Sequence, residues 1–184
     1  LCGMKKLLCL LLIVQSIVLT AQNDITREGL FFGFSAGGGI HLSNDDYQSR
    51  VSLPNIKIGY MVNEKLGFGL YMPGGVSTIN SQNRAFEAFL PSVQYYLTKN
   101  WYASAGVGLS LETTPFYDVD FSVGPPDFYV GPGFGFAAGY EFLHFKDKFA
   151  VDIQSRVLLG QIYYDKNNST EQAAFDILIG FTIF

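Results

Sequence analysis

From residue 30 to residue 184 apolar and polar residues alternate in short runs. The last run is the clearest. In AFDILIGFTIF, Phe175, Ile177, Ile179, Phe181 and Ile183 fall on one side, and Asp176, Leu178, Gly180 and Thr182 on the other. A strand turns successive side chains to opposite faces, so this pattern predicts a strand with one continuously apolar face. Eight such runs of roughly ten residues are bounded by turn residues. They predict strands at 30–42, 52–62, 66–76, 86–97, 101–112, 128–142, 148–160 and 173–184. The connections alternate in length. Residues 63–65, 98–100 and 143–147 are short turns; residues 43–51, 77–85, 113–127 and 161–172 are longer and polar. An even number of antiparallel strands, with short turns at one end and long loops at the other, is the layout of an eight-stranded transmembrane up-and-down β-barrel.

The two faces differ in kind. Trp101, Ala103, Ala105, Val107, Leu109 and Leu111 oppose Tyr102, Ser104, Gly106, Gly108, Ser110 and Glu112. Val130, Phe134, Phe136, Tyr140 and Phe142 oppose Gly131, Gly133, Gly135, Ala137, Gly139 and Glu141. A small barrel has room inside for little more than its own side chains. The face carrying glycine, serine and charge therefore suits the interior, and the Phe, Ile and Val face suits lipid. In lipid every backbone polar group must be paired internally, which for strands requires a closed barrel.

The start of the chain adds a direction of travel. Residues 4–22 read MKKLLCLLLIVQSIVLTAQ: a positive pair, an apolar stretch too short to span a bilayer, and small residues at a cleavage site. This predicts a cleaved secretory signal at 1–21, with residues 1–3 lying before the start at Met4, and a barrel domain at 22–184. Both cysteines precede the mature chain, which has no thiol for a disulfide or a metal. Removing Lys5 and Lys6 from the 12 basic residues leaves 10 against 16 acidic, a net charge of −6. With no basic cluster, nucleic acid is excluded as a partner. No cofactor and no metal are expected.

Two stretches carry a family likeness. One is Ile58-Gly59-Tyr60-Met61-Val62-Asn63-Glu64-Lys65-Leu66-Gly67-Phe68-Gly69, and the other is Phe89-Leu90-Pro91-Ser92-Val93-Gln94-Tyr95-Tyr96-Leu97. With the terminal Phe184 they make the chain resemble the small outer-membrane β-barrel proteins of Bacteroidetes-type bacteria, with an OmpA/OmpX-like barrel. The likeness covers 30–184. It implies a Gram-negative outer membrane, periplasmic termini, assembly by the outer-membrane insertion machinery, and contact with outer-membrane lipids and lipopolysaccharide. One departure is visible: Ile179, Phe181 and Ile183 are out of phase with Phe184.

Candidate functional residues follow from the faces. Lys57, Glu112, Glu141, Asp152, Arg156 and Asp176 face inward and are expected to pair as a barrel-interior charge network, since isolated buried ions are costly. The alternative for the same residues is an ion path through a narrow porin or transporter for small or hydrophobic solutes. Tyr60, Tyr95, Trp101, Tyr140 and Phe184, with Tyr96, Tyr102, Phe142 and Phe149, flank the short turns or the chain end and predict an interface girdle of aromatic rings. His41 and Ser43, followed by Asp45 and Asp46, are the one catalytic-looking stretch. Their His-x-Ser spacing is similar to that of outer-membrane lipid A deacylases, although the parity places His41 inside. His144, in a short turn, reads as solvated surface. The Gly-x-Gly pairs lack a Gly-Lys-Ser/Thr ending and read as inward strand positions. Loop 113–127 mixes Phe116, Tyr117 and Phe121 with Asp118, Asp120 and Asp127, and reads as a lid over the mouth, with a binding site for a partner or Ca²⁺ as the alternative. With loops 43–51, 77–85 and 161–172, whose tip carries Asn167-Asn168-Ser169-Thr170, it is where an extracellular ligand would bind. The role expected for the whole is non-enzymatic: a structural or surface-interaction barrel with its interior plugged by side chains.

Overall fold

The computed structural model describes residues 26–43, 46–79, 82–119, 127–145, 148–165 and 168–184. The predicted signal at 1–21, together with Asp45, Asp120, Phe121 and Asn167, lies outside the described residues. The strands are β1 (Gly29–Ser43), β2 (Asp46–Met61), β3 (Leu66–Met72), β4 (Gly74–Ile79), β5 (Gln82–Tyr96), β6 (Trp101–Thr113), β7 (Phe128–Phe145), β8 (Phe149–Tyr163) and β9 (Ser169–Ile183). Every neighbouring pair is antiparallel, and β1 pairs with both β2 and β9, so the sheet closes on itself. β3 and β4 are consecutive parts of one stave interrupted at Pro73. The barrel therefore has eight staves. Among the described residues every strand has a neighbour on both sides.

The alternation resolves into an inverted protein. Along β6 to β9 the outward Val107, Leu109, Phe136 and Ile179 are 57%, 54%, 53% and 64% exposed, whereas the inward Glu141, Asp152 and Asp176 are fully buried. A water-soluble barrel would have these sets exchanged. At the short-turn end Trp101 packs on Tyr140 with ring centroids 5.0 Å apart, beside the exposed Tyr60 and Tyr95. A second set of exposed rings, Tyr47, Phe128 and Tyr163, rims the long-loop end and was not expected from the sequence. On β7, Phe128 and Tyr140 bound a band of roughly twelve residues, which at about 3.3 Å per residue and a tilt near 40° is on the order of 30 Å tall. That height matches a bilayer core.

Three of the four long loops are shorter than predicted. β2 begins at Asp46 rather than 52, β4 runs to Ile79, β5 begins at Gln82 rather than 86, and β9 begins at Ser169 rather than 173. The added stretches, such as Gln48 to Arg50 and Asn83 to Arg84, lack an apolar side, so the alternation that marks a lipid-facing strand is missing from them. They remain strands because both neighbours continue to pair: His41 still faces Gln48, and Thr78 still faces Asn83. Only the connection after β6 is long. It opens with a single 3-10 turn, Phe116–Asp118, tied to β5 by Asn83 Nδ2 donating to Asp118 Oδ2 at 2.6 Å. The lid predicted at 113–127 rests largely on residues outside those described.

Prolines mark the weak places in the wall, because proline brings no N–H to a ladder. β2 pairs with β3 only from Ile56 to Met61 and with β4 only at Arg50 and Val51, leaving a breach at Pro54 and Pro73. Shorter interruptions fall at Pro91 and Pro132. By contrast β8–β9 and β1–β9 pair without a break.

Candidate functional site

The interior is built in three tiers. At the short-turn end Glu141 on β7 is the hub. Arg27 pairs with it, Tyr96 Oη donates to its Oε1 at 2.5 Å, and His144 Nε2 lies 3.2 Å from its Oε2. Arg27 also donates to the Lys99 carbonyl at 2.6 Å and lies 4.0 Å above the Tyr96 ring. From Tyr96 the chain continues inward: Gln94 Nε2 donates to Tyr96 Oη at 2.9 Å, and Tyr71 Oη donates to Gln94 Oε1. Phe31, Met61, Tyr96 and Tyr102 make an apolar cluster around this hub, with Phe184 against it.

The middle tier repairs the breach in the wall. Asn55 accepts from the Gly74 N–H at 2.9 Å and donates to the Ser35 and Ser52 carbonyls at 3.1 Å; Ser52 Oγ donates to the Gly74 carbonyl at 2.9 Å. Two side chains thus stand in for missing ladder bonds. Arg156, reaching across from β8, donates to Asn55 Oδ1 at 2.6 Å, to Ser52 Oγ at 2.8 Å and to Asp176 Oδ2 at 2.6 Å. Arg50 approaches the other oxygen of Asp176 at 3.3 Å. Lys57 lies against Gly33, where a Cβ would strike its stem, and its ammonium is 5.1 Å from the Tyr102 ring centre. Between these groups is a cavity of about 40 Å³, lined by Lys57, Tyr71, Tyr102, Asp152, Asn55 and Arg156 among others.

The long-loop end is organised around His41. Gln172 Nε2 donates to Glu112, which turns its amide oxygen toward His41 Nε2 at 3.2 Å. An amide oxygen only accepts, so Nε2 carries the proton, and Nδ1 accepts from Ser77 Oγ at 2.7 Å. The imidazole lies flat on Phe86, ring centres 5.2 Å apart. Glu112 also accepts from Tyr164 Oη at 2.8 Å, and Arg84 Nε is 4.0 Å from it. Tyr164, in the turn after β8, has its phenol pushed up to about 12, by burial first and then by its bond to Glu112. Phe86, Ala88, Leu90, Leu158, Ile162 and Ala174 pack beneath as a second apolar cluster.

All six predicted interior charges point inward, yet they do not form one network. Glu141, the pair Arg156–Asp176, and Glu112 occupy different tiers, and Lys57 makes no ion pair with Asp152 among the described residues. Their partners Arg27, Arg50 and Arg84 were missed. All three lie outside the strands read from the sequence: Arg50 and Arg84 in the extensions of β2 and β5, and Arg27 just before β1. Tyr60, Tyr95, Trp101 and Tyr140 sit on the outer rim at the short-turn end. Phe184 does not, and Tyr96 and Tyr102 are buried inside. For Phe184 the signal was present, since it is out of phase with the outward Ile183. His144 is no solvated turn residue: it lies within β7, its side chain 11% exposed, on Glu141. His41 is inside, and the serine it meets is Ser77, not Ser43. Among the described residues no cluster of His, Cys, Asp and Glu fits a metal.

No family model matches the chain, and no curated protein matches it in sequence. Solved structures do. The crystal structure of Neisserial surface protein A aligns with a TM-score of 0.64 at 19% identity, covering 84% of this chain and 96% of that one. Ail, the attachment invasion locus protein of Yersinia pestis, aligns with a TM-score of 0.54 at 8% identity, covering 85% of this chain and 99% of that one. At such identities the likeness is one of fold. Closure, inverted polarity and this likeness define the class: an eight-stranded, membrane-spanning, up-and-down β-barrel.

Proposed function

We propose that the protein is an integral barrel of a Gram-negative outer membrane, exported by a signal at 1–21, with a non-enzymatic structural or surface-interaction role. The observation that carries this reading is the interior. Apolar clusters fill it near both ends, and Arg156, Asp176, Arg50, Asn55 and Ser52 brace it across the middle. Guanidinium groups locked to opposite walls leave no room for a solute column and raise an electrostatic barrier to cations. Lipids, lipopolysaccharide among them, meet the outward face. The insertion machinery delivers the chain, and the termini stay in the periplasm. The exposed rim at the long-loop end, with Tyr47, Tyr117 and Phe128, is the surface offered to an extracellular partner.

The lipid A deacylase reading gains nothing from the geometry. Ser77 and His41 form a hydrogen-bonded pair, but both are buried inside the wall, where an acyl ester in the membrane does not reach them. Planar-bilayer recording on the refolded protein tests the plug: no steady current is expected, and a stable unitary conductance would establish a pore instead. Lipid A mass spectra of cells with and without the protein should be the same; loss of an acyl chain that depends on His41 would restore the enzyme.

A further inference from the structure

The cavity between the two apolar clusters has features that a packing defect does not have. Among the described residues, Lys57 Nζ and Arg156 Nε on its lining have no hydrogen-bond partner, and Tyr102 Oη and the Asp152 carboxylate have at most each other within reach on that side. Asp152, Tyr102 and Arg156 are more than nine-tenths buried. Buried polar groups left unmade are costly, and more so in a barrel surrounded by lipid. The space for Asp152 is built in: a Cβ at Gly180 would stand 2.6 Å from its Oδ1. Gly33 gives the same room to the stem of Lys57.

We propose that this chamber is a sealed hydration site, in which a small cluster of waters joins the Lys57 ammonium to the Asp152 carboxylate. The inference rests on the plugged-barrel reading above. Its occupant must accept from Lys57 and Arg156 and also donate to a remaining lone pair of Asp152. Water does both. An anion would face the Asp152 carboxylate, a cation would face the Lys57 ammonium, and an apolar guest would leave Lys57 Nζ and Arg156 Nε unpaired. A cavity needs on the order of 10–15 Å³ of such volume for each water, so about 40 Å³ holds roughly three. Leu90 belongs to the apolar cluster on one side and Tyr102 to that on the other, so the waters exchange slowly with bulk. The ion pair is thereby a water-mediated one, unlike the direct pair of Arg156 with Asp176.

Magnetic relaxation dispersion of water on the refolded protein in detergent micelles counts waters held longer than the particle tumbles. The wild type should show about three such waters, one for each 10–15 Å³ of the chamber. The double variant Lys57→Met with Asp152→Leu should show none. An unchanged count in a folded double variant overturns the proposal. If that variant does not fold, a high-resolution crystal structure of the wild type decides: ordered density bridging Lys57 and Asp152 supports the proposal, and an empty chamber overturns it. A wild type without long-lived water and without bilayer current overturns this inference alone. The same result with a steady current overturns the sealed-barrel reading as well.

Discussion

Two seams of the same wall show what the interior is for. Between β8 and β9 each residue from Phe149 to Tyr163 faces a partner, and no proline interrupts either strand. Between β2 and the β3–β4 stave the ladder stops at Ile56 and resumes only at Val51. Lipid offers no replacement for those lost bonds. On the intact seam no inward side chain has to replace a ladder bond, and Gly160 and Gly180 stand beside Asp152, Arg156 and Asp176. On the broken seam they are Ser52 and Asn55, which bond to the opposite backbone and are held in turn by Arg156 and Asp176. The Arg156–Asp176 pair, standing on the intact seam and reaching across to Ser52 and Asn55, is therefore read as a brace for the broken one. Ser110, donating to the Pro132 carbonyl at 2.9 Å beside another interruption, repeats the device in smaller form.

The largest predicted effect breaks the repair at its anchor. Asp176→Leu leaves Arg50 and Arg156 facing each other without a counter-charge, and removing one partner of a buried pair costs about 3–5 kcal/mol. Urea unfolding from micelles, followed by Trp101 fluorescence, measures it. A loss near that of an exposed pair, under about 1 kcal/mol, would mean the brace does not hold the wall.

Next is the stitch itself. Asn55→Leu strands the Gly74 N–H and one Arg156 donor, at about 1–3 kcal/mol for each buried group left unpaired. Hydrogen exchange should accelerate at Gly74 and the β4 amides while β8–β9 amides stay protected; uniform acceleration would erase the contrast between the seams. On the intact side Gln154→Leu removes only a bond to Asp152 at 3.3 Å and should cost less than about 1 kcal/mol.

A third test concerns how close the unbroken β1–β9 seam is. A Cβ at Gly39 would collide with the Phe175 carbonyl, whereas one at Gly38 comes no nearer than 3.2 Å to the Arg50 carbonyl. Gly39→Ala should therefore destabilise by about 1–3 kcal/mol and Gly38→Ala by a fraction of that. Equal effects would show that β1 moves freely against β9.

These sites also separate what the sequence shows from what it hides. The outward Phe175, Ile177 and Ile179 were legible because period 2 admits no other arrangement, and size alone sent Gly131, Gly133 and Gly135 inside. Arg27, Arg50 and Arg84 were not legible. Arg50 and Arg84 lie where the apolar alternation is too short to mark a strand, and Arg27 lies before β1, so a pattern read from lipid-facing residues does not reach them. His41 was placed inside correctly, but its partners are 36 and 131 residues away in sequence, so only ring closure reveals Ser77 and Gln172. Pro54 and Pro73 were visible throughout. What they do to the wall depends on their falling opposite one another, which is a matter of register.

Smaller effects probe the two rims. A double-mutant cycle on Trp101 and Tyr140 should return about 1 kcal/mol for the ring pair; no coupling would mean each ring serves lipid alone. At the other rim Tyr164 binds its proton more tightly folded than unfolded. Its contribution is complete below the ordinary tyrosine range near 10 and is lost as pH rises through about 12. Tyr164→Phe should flatten that alkaline loss, and a variant with the wild-type pH profile would place the loss elsewhere.

The claim beneath all of these is that the apolar face is the outer one and the barrel is closed in a membrane. Cold denaturing electrophoresis of the refolded chain, unheated against boiled, tests it most directly. The structure predicts a compact, faster band that shifts to full mass on boiling, and a requirement for detergent throughout. A chain that stays soluble without detergent and shows no shift would reverse the inside and outside of the barrel, and with them the reading of its charged interior.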